Sequence, residues 1–398
     1  MTSPTAPAPS ARTGIGLALS GGGFRATLFH LGALRRLDEL GVLTALTDVS
    51  SVSGGSIMAA ALAEAMIESP AQPGQRLANF DAMAKQVHDL TSCNLRRRIL
   101  FERLEPTNWH NSLAELVAKE LTKRVTDKPL TALPTAPDFS FCATDMAFGV
   151  NWEYTRLRAG DFQAGYSTKS LGKIPIAHAA AASACFPPIF EPIETMVPAT
   201  EFTDGDATGA EADLCRTRIR LTDGGVYDNM GLEPLWKRVK ILLVCDAGGE
   251  FEYTADRGTI SDIKRYPDIM GNQARALRKR WLMASFTSGN AGPGGAPGLE
   301  GTYWATGSYR AKFDPTDTSG YSAEIANLIA HIRTDLDDFS PGETAALENH
   351  GYLMADVAIK VWVPSLYKPA PVSVPYPEFM DETKVRQALA GSAKQRLF

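Results

Sequence analysis

Three short stretches of the sequence carry residue types that could perform acyl transfer. The first is SVSGG (51–55), in which Ser53 ends a predicted strand and stands directly before a Gly-Gly pair. The stretch matches three of the four features of the nucleophile elbow GxSxG, with Ser51 in place of the first glycine. Serine is small enough for the tight bend between strand and helix that this motif requires. Ser53 is therefore a candidate nucleophile, although the stretch by itself is also typical of a capping or turn serine.

A glycine-rich stretch, SGGGFRA (20–26), could hold a negative charge. Gly21, Gly22 and Gly23 let the backbone pass close to a ligand with its N–H groups exposed, and the helix that follows adds a partial positive charge. Such a turn can bind a phosphate or stabilise a developing oxyanion. The sequence does not match the dinucleotide motif GxGxxG, and it contains no GK[ST] for a P-loop. A glycine-rich turn without a ligand is the alternative.

A third stretch, LTDGGVYDNMG (221–231), provides a candidate base for the serine. Asp223 ends a short apolar segment, and the two glycines after it would bring its carboxylate close to another backbone segment. A nucleophilic serine needs such a base, most often a histidine. No local context marks a histidine for this role, so the carboxylate is the stronger candidate; a simple Asp-Gly turn is the alternative. The histidines are His30, His88, His110, His178, His331 and His350.

The elements that must position these residues alternate between strand and helix. A short apolar run predicts a strand over 14–20, and TDVSSVS is interpreted as a second strand over 47–53. Apolar residues at spacings of three or four predict a helix over 24–41. A second helix is predicted over 56–67. This alternation with short connections predicts a parallel, largely buried sheet. Ser53 and the glycine-rich stretch both fall where a predicted strand passes into a helix.

The rest of the chain is divided by its composition. Residues 70–135 lack strand signals and predict a helical cap or flank, whereas FSFCATDMAF (139–148) and VKILLVCDA (239–247) predict further strands. Other predicted elements are a small-residue helix over 176–190 stopped by Pro187 and Pro188, a mobile glycine-rich loop over 288–301 and an amphipathic helix over 321–336. The predicted organisation is a disordered tail (1–12), one main domain (13–365) and a Pro-rich extension with a short helix (366–398).

Composition excludes several classes of protein. The chain has 398 residues, 44% hydrophobic and 21% charged, with a net charge of −5 that argues against nucleic-acid binding. Its five cysteines show no CxxC spacing and no Cys/His cluster, which favours reduced thiols over a zinc site. No EF-hand calcium loop is present, and we expect no metal and no cofactor. The lack of a signal-peptide run, and of any stretch with the roughly 20 apolar residues of a membrane-spanning helix, predicts a cytoplasmic protein.

Taken in order along the chain, the glycine-rich stretch, the elbow serine and the Asp-Gly-Gly stretch resemble the patatin-like phospholipases. A fourth stretch, SACFPPIFEP (183–192), resembles the small-residue, Pro-ending block that precedes the aspartate in that family. The resemblance spans residues 14–250. Ala26 and Ser51 stand where the family motifs have glycine, and both are small residues.

The resemblance implies a three-layer α/β sandwich, with a mainly parallel central sheet between helices and a helical cap inserted over residues 70–135. It also implies a Ser–Asp dyad without histidine, acting on a lipid or phospholipid ester. Ser53 would attack the ester carbonyl and Asp223 would take its proton. Backbone N–H groups of the glycine loop would hold the oxyanion until water releases the acyl-enzyme. The loop residues are Gly21, Gly22 and Gly23.

Two further residues are expected to contact the substrate. Gly54 directly follows the nucleophile. Arg25, in the helix after the glycines, could steady the loop or meet a lipid phosphate through its planar guanidinium. A surface salt bridge is the alternative for Arg25.

Two basic stretches that also contain large apolar residues could bring the protein to a membrane. QARALRKRWLMASF (273–286) places Leu277 and Trp281 four residues apart on a predicted helix, and NLRRRILFERL (94–104) mixes arginines with apolar residues. Either could rest peripherally on an anionic lipid surface, which attracts each well-placed basic residue by roughly 1 kcal/mol. Solvated helix faces over a core are the alternative.

Two other functions fit parts of the pattern. One is an α/β-hydrolase esterase with a Ser-His-Asp triad, in which His331 or His350 comes last in the chain. The glycine-rich stretch directly after the first strand disfavours it. The other is a non-catalytic module that binds a phosphate-bearing ligand at the glycines, with Ser53 as a helix cap.

Overall fold

Two short segments, the apolar run IGLAL and the mixed segment DVSSV, form adjacent parallel strands at the centre of a ten-stranded sheet. This computed structural model describes residues 12–187, 189–249, 251, 259–288 and 299–394, with 259–264 and 288 as backbone only. Residues 1–11 of the predicted tail and residues 289–298 of the predicted glycine-rich loop lie outside the described residues.

The ten strands are β1 (Ile15–Leu19), β2 (Asp48–Val52), β3 (Asp138–Asp145), β4 (Asn151–Tyr154), β5 (Ala159–Asp161), β6 (Gly165–Ser167), β7 (Ile193–Glu194), β8 (Arg220–Asp223), β9 (Ile241–Asp246) and β10 (Glu300–Ala305). They run in the spatial order β10-β9-β1-β2-β3-β4-β5-β6, and β8 pairs with both β3 and β7. The five strands from β10 to β3 are parallel, whereas the pairs from β3 to β6 and those of β8 are antiparallel. The prediction of a parallel sheet is therefore correct for the five strands from β10 to β3, but it does not include the antiparallel strands on one side.

Helices follow most of the strands. The small-residue helix predicted over 176–190 ends at residue 184, before the two prolines, and the amphipathic helix predicted over 321–336 spans only 323–330. The described helices are α1 (Gly23–Glu39), α2 (Gly54–Glu68), α3 (Phe80–Thr91), α4 (Leu95–Arg103), α5 (Leu113–Arg124), α6 (Ile176–Ala184), α7 (Ala210–Arg216), α8 (Gly225–Asp228), α9 (Thr259–Ser288), α10 (Ala323–Ala330), α11 (Pro341–Trp362) and α12 (Glu382–Ala388).

Alternating side chains of the central strands separate two apolar cores. On β1, Leu17 and Leu19 point into the core shared with α1, α2 and α11, and Ala18 points into a smaller core that contains Leu282 of α9. This alternation follows from the pleat of a strand, in which successive side chains face opposite sides of the sheet. The result is the predicted three-layer arrangement, a sheet between two layers of helices.

The predicted helical insertion contains α3, α4 and α5, which lie between α2 and β3 in the chain. Helix α3 packs against α1 and α2, and α5 packs against α6. Helix α5 begins with a capping box in which Ser112 and Glu115 bond each other's backbone N–H groups. Among the described residues, no helix has the length and apolar character needed to cross a membrane.

Strand register brings the end of β2 and the end of β8 together. Val52 of β2 pairs with Cys142 of β3, and Asp223 of β8 pairs with the next residue of β3, Ala143. Because β4 occupies the other edge of β3 at these positions, β8 continues the line of β2 and runs towards it. Ser53 and Asp223, the residues at the two strand ends, therefore meet end to end.

Candidate active site

Ser53 occupies a strained turn between β2 and α2. Its backbone has φ 53° and ψ −121°, and among the described non-glycine residues only Asp204 also has a positive φ. Such a conformation costs about 1–3 kcal/mol for a side-chain-bearing residue and persists only where the surroundings enforce it. A strained turn between a strand and a helix is the backbone geometry that a nucleophile elbow requires.

Glycines after Ser53 allow the elbow to touch the glycine-rich stretch. A Cβ atom on Gly54 would lie 2.0 Å from the carbonyl oxygen of Gly23, and one on Gly55 would lie 2.3 Å from that of Leu19. Either contact would force the backbones apart, so both positions require glycine. Ser51, which replaces the first glycine of the motif, is buried and accepts a hydrogen bond from Ser56 (2.9 Å).

The Asp223 carboxyl group is buried beside Ser53. Burial raises the pKa of Asp223 to about 6, whereas the Ser53 hydroxyl and the Gly225 N–H, which donates to Oδ1 (2.7 Å), lower this pKa by less. Oδ2 completes no hydrogen bond of standard geometry with any described residue, so this oxygen is available to accept the Ser53 proton. A carboxylate with a raised pKa is also a stronger base than one in water.

Two backbone N–H groups at the start of α1 are unused. Gly21 donates its N–H to Asn229 O (3.1 Å) and Phe24 donates to Asp335 O (2.8 Å), whereas the N–H groups of Gly22 and Gly23 have no acceptor within the described part of the chain. Gly22 and Gly23 both have positive φ, 143° and 58°. The free donors lie at a helix N-terminus, where the helix dipole favours negative charge.

The glycine-rich stretch lies directly against the elbow. A Cβ atom on Gly21 would be 3.0 Å from Ser53 Cβ and 2.4 Å from Asn229 Oδ1. Asn229 and Asp335, whose backbone oxygens hold the loop, are not among the site residues predicted from the sequence. Asn229 belongs to the same stretch as Asp223 and could have been considered for that reason, whereas no local signal marks Asp335.

Arg25 is almost fully buried, with 2% of its surface exposed. Its guanidinium donates to three backbone oxygens, those of Ala330 (2.8 Å), Ile332 (2.7 Å) and Ala247 (2.6 Å). These contacts favour the alternative in which Arg25 steadies the glycine loop. They leave little of the side chain for a lipid phosphate or for a surface salt bridge.

The histidines named for a triad have other contacts. His350 is buried with Nε2 2.8 Å from Thr306 O, and His331 places Nδ1 2.7 Å from Asn327 O of its own helix. Burial lowers the pKa of His30, His178 and His350 to about 4. In the described part of the molecule no recorded contact joins a histidine to Ser53 or Asp223, so the structure gives the triad alternative no support.

Metal ligands are also lacking around the site. Within the described ranges, no group of three or more His, Cys, Asp or Glu side chains could hold a metal ion. The Asp223 carboxylate instead has Ser53 and a backbone N–H as its neighbours.

Comparison with known proteins gives one family match and several structural matches. The family model described as "Patatin-like phospholipase" matches residues 17–236 of the chain. No curated protein matches the sequence. Human GIVD cytosolic phospholipase A2 in complex with methyl gamma-linolenyl fluorophosphonate is 12% identical with a TM-score of 0.50, over 95% of this chain and 59% of that chain. This match shows similarity of fold.

Two other solved structures match with lower TM-scores. Human GIVD cytosolic phospholipase A2 alone gives 12% identity and a TM-score of 0.49, over 95% of this chain and 63% of that chain. VipD from Legionella pneumophila gives 16% identity and a TM-score of 0.37, over 88% of this chain and 67% of that chain. The chain thus spans about three fifths of the length of the human structures it matches.

Proposed function

The chain belongs to the patatin-like phospholipase family, and from this premise we propose that it is a serine acyl hydrolase that cleaves carboxylic esters of lipids. One observation carries the proposal: Ser53, on a strained elbow at the end of β2, lies beside the buried carboxyl group of Asp223, at the end of β8. The fold by itself would not assign a reaction, because function resides in the site.

In the proposed reaction, Ser53 Oγ attacks the ester carbonyl while its proton passes to Asp223 Oδ2. The carbonyl oxygen gains a negative charge, which the free N–H groups of Gly22 and Gly23 stabilise. When the tetrahedral intermediate collapses, the carbon–oxygen bond to the alcohol breaks and Asp223 returns the proton to the leaving alkoxide. A water molecule then attacks the acyl-enzyme with Asp223 as base, releasing the fatty acid and restoring Ser53.

Helix α4 supports peripheral contact with a lipid surface. Its outer face exposes Leu100 (42%), Phe101 (58%) and, directly after it, Leu104 (71%). The Arg97 guanidinium lies over the Phe101 ring, 5.5 Å from its centre, and adds an exposed positive charge. Exposed apolar side chains beside a basic one are suited to the interface of an anionic bilayer.

The position of α4 suits this task. The Arg96 side chain bonds the Asp335 carboxylate, and the Asp335 carbonyl oxygen accepts the N–H of Phe24 in the first turn of α1. Helix α4 therefore begins next to the glycine loop. In the other basic stretch, Leu277 is exposed but the Trp281 ring packs 5.0 Å from that of Trp236, so the two do not form one exposed apolar face. We place the membrane contact at α4, in a protein of the cytoplasm.

Ester hydrolysis tests the proposed function. Wild type, Ser53→Ala and Asp223→Asn are compared on short- and long-chain nitrophenyl esters and on phosphatidylcholine vesicles, with circular dichroism to confirm folding. The expected result is turnover by wild type and background rates for both variants. Wild-type protein that hydrolyses none of these esters and also binds inorganic phosphate would point instead to the phosphate-binding module.

A further inference from the structure

Ser183, the second-last residue of α6, contacts both strand ends that form the site. Its buried hydroxyl accepts a hydrogen bond from the backbone N–H of Ser53 (2.9 Å) and donates one to Cys142 O (2.6 Å). Its own carbonyl oxygen accepts the N–H of Gly224 (3.2 Å), directly after the aspartate. One residue therefore connects the elbow to the Asp-Gly-Gly stretch.

Neighbouring groups fix Ser183 in turn. The Ser56 hydroxyl lies 2.8 Å from Ser183 Oγ and 2.9 Å from Ser51 Oγ, which joins three buried serines in one network. At the end of α6, the Cys185 carbonyl oxygen accepts the Asp223 N–H (3.2 Å). The last turn of α6 thus bonds the backbone on both sides of the dyad.

We propose that Ser183 is a positioning residue that sets the distance between Ser53 Oγ and Asp223; the inference rests on the function proposed above. The Ser53 backbone is strained, so it needs an external bond to hold its angle. The Ser183 hydroxyl supplies this restraint by accepting a hydrogen bond from the Ser53 N–H. The Ser53 N–H is thereby occupied and does not serve as a donor to the oxyanion.

The sequence position of Ser183 agrees with this role. It begins the SACFPPIFEP block, which otherwise has no assigned task in the reaction. A serine in an alanine-rich helix costs some helix propensity, because its hydroxyl competes for backbone groups. Here the hydroxyl serves a backbone outside its own helix, so alanine could replace it with little harm to α6.

The test compares Ser183→Ala with Ser50→Ala. Ser50 is an equally buried serine whose hydroxyl contacts Cys142 Sγ (3.4 Å) and does not bond the Ser53 backbone. The rate on a soluble nitrophenyl ester is divided by the concentration of active sites, which is measured by complete titration with a fluorophosphonate. This normalisation removes the effect of any unfolded protein on the measured rate. Because small misplacements of reacting groups can cost about 100-fold, we expect kcat per site to fall about 10- to 100-fold in Ser183→Ala with KM changed less than about twofold. The same kcat per site in both variants would overturn the proposal.

A second readout does not depend on activity. Hydrogen–deuterium exchange of peptides covering residues 50–57 and 222–228 should be faster in Ser183→Ala than in wild type, and unchanged in Ser50→Ala. Unchanged exchange in both peptides of Ser183→Ala would overturn the positioning role. Wild-type protein without hydrolysis or labelling would refute the proposed function instead, whatever the exchange shows.

Discussion

At the scale of single residues, the ionisation of Asp223 links activity to pH. The carboxylate accepts a proton only when ionised, and burial raises its pKa to about 6. We predict that kcat/KM rises through an apparent pKa of about 6 and stays level from pH 7 to pH 9. The pH–rate profile on a neutral nitrophenyl ester measures this. A profile that is flat from pH 4.5 to pH 7 would contradict Asp223 as the base.

Ionisation of Asp223, which activity requires, lowers the stability of the folded protein. Because the folded-state pKa of Asp223 exceeds its ordinary value of 3.8, the group's stabilising contribution is lost as the pH rises from about 4 through 6. At pH 8 the buried charge costs about 3 kcal/mol. Asp223→Asn should therefore unfold at a higher temperature than wild type at pH 8 and at a similar temperature at pH 4, while being inactive. An Asn variant less stable than wild type at pH 8 would show that the carboxylate stabilises the fold.

At the scale of elements, Arg25 joins the start of α1 to the segment after α10 and to the loop after β9. In Arg25→Gln the single NH2 group, on a shorter side chain, could not serve all three carbonyl partners, and we expect the free energy of unfolding to fall by about 2–4 kcal/mol. Activity per folded molecule should fall to the same extent on a neutral ester and on a phospholipid. A loss confined to the phospholipid would assign Arg25 to the lipid phosphate instead.

Two buried aspartates stand at the ends of β3 and β5. The carboxyl groups of Asp145 and Asp161 are neighbours, and burial, with Asp145 nearby, raises the pKa of Asp161 to about 7. The pair thus shares a proton below neutral pH, and stability falls as the pH rises from about 4 through 7. Asp161→Asn should raise the melting temperature by a few degrees at pH 8 and less at pH 5. Asp89→Asn, at an exposed surface carboxylate, is the control; equal effects of the two variants at pH 8 would refute the shared proton.

How far the sequence predicts the structure depends on the element. The elements from β1 to α2 were predictable, because β1 is a continuous apolar run, α1 has apolar residues at helical spacing, and glycines mark the turns after both strands. The short antiparallel strands β4, β5 and β6 contain three or four residues each, too few to show a period. Helix α11 is buried for most of its length, so its polar residues lie inside and no amphipathic pattern marks it.

Some residues of the site could be predicted from local motifs, and others could not. Ser53, Asp223 and the glycines stand in short motifs, and the tight turns there require particular residue types, so these residues can be found from the sequence. Ser183 and Asp335 act through partners more than 100 residues away in the chain, so no local spacing could reveal them.

At the scale of the whole molecule, the reaction needs lipid at the mouth of the site. Replacing Phe101 and Leu104 with serine removes the exposed apolar face of α4, and we expect weaker sedimentation with anionic phosphatidylserine vesicles and about tenfold slower hydrolysis of vesicle lipid. Hydrolysis of a soluble short-chain ester should be unchanged.

An exposed residue at the opposite end of the helix layer provides the control. Trp362 is 57% exposed at the end of α11, six residues after Asp356, which bonds Arg36 in the last turn of α1. The 17 residues of α1 separate its last turn from the glycine loop by about 25 Å. Trp362→Ser should bind vesicles as wild type does. Equal loss of binding in both variants would assign the effect to general surface hydrophobicity and not to α4.

The central claim is that Ser53 is a nucleophile activated by Asp223 without a histidine. Its most direct test is covalent labelling by a fluorophosphonate, with the modified residue located by mass spectrometry and the labelling rate measured in wild type, Asp223→Asn, His331→Ala and His350→Ala. We predict a label on Ser53 alone, lost in Asp223→Asn and retained in both histidine variants. A label on another serine, or a Ser53 label that depends on either histidine and not on Asp223, would contradict the account.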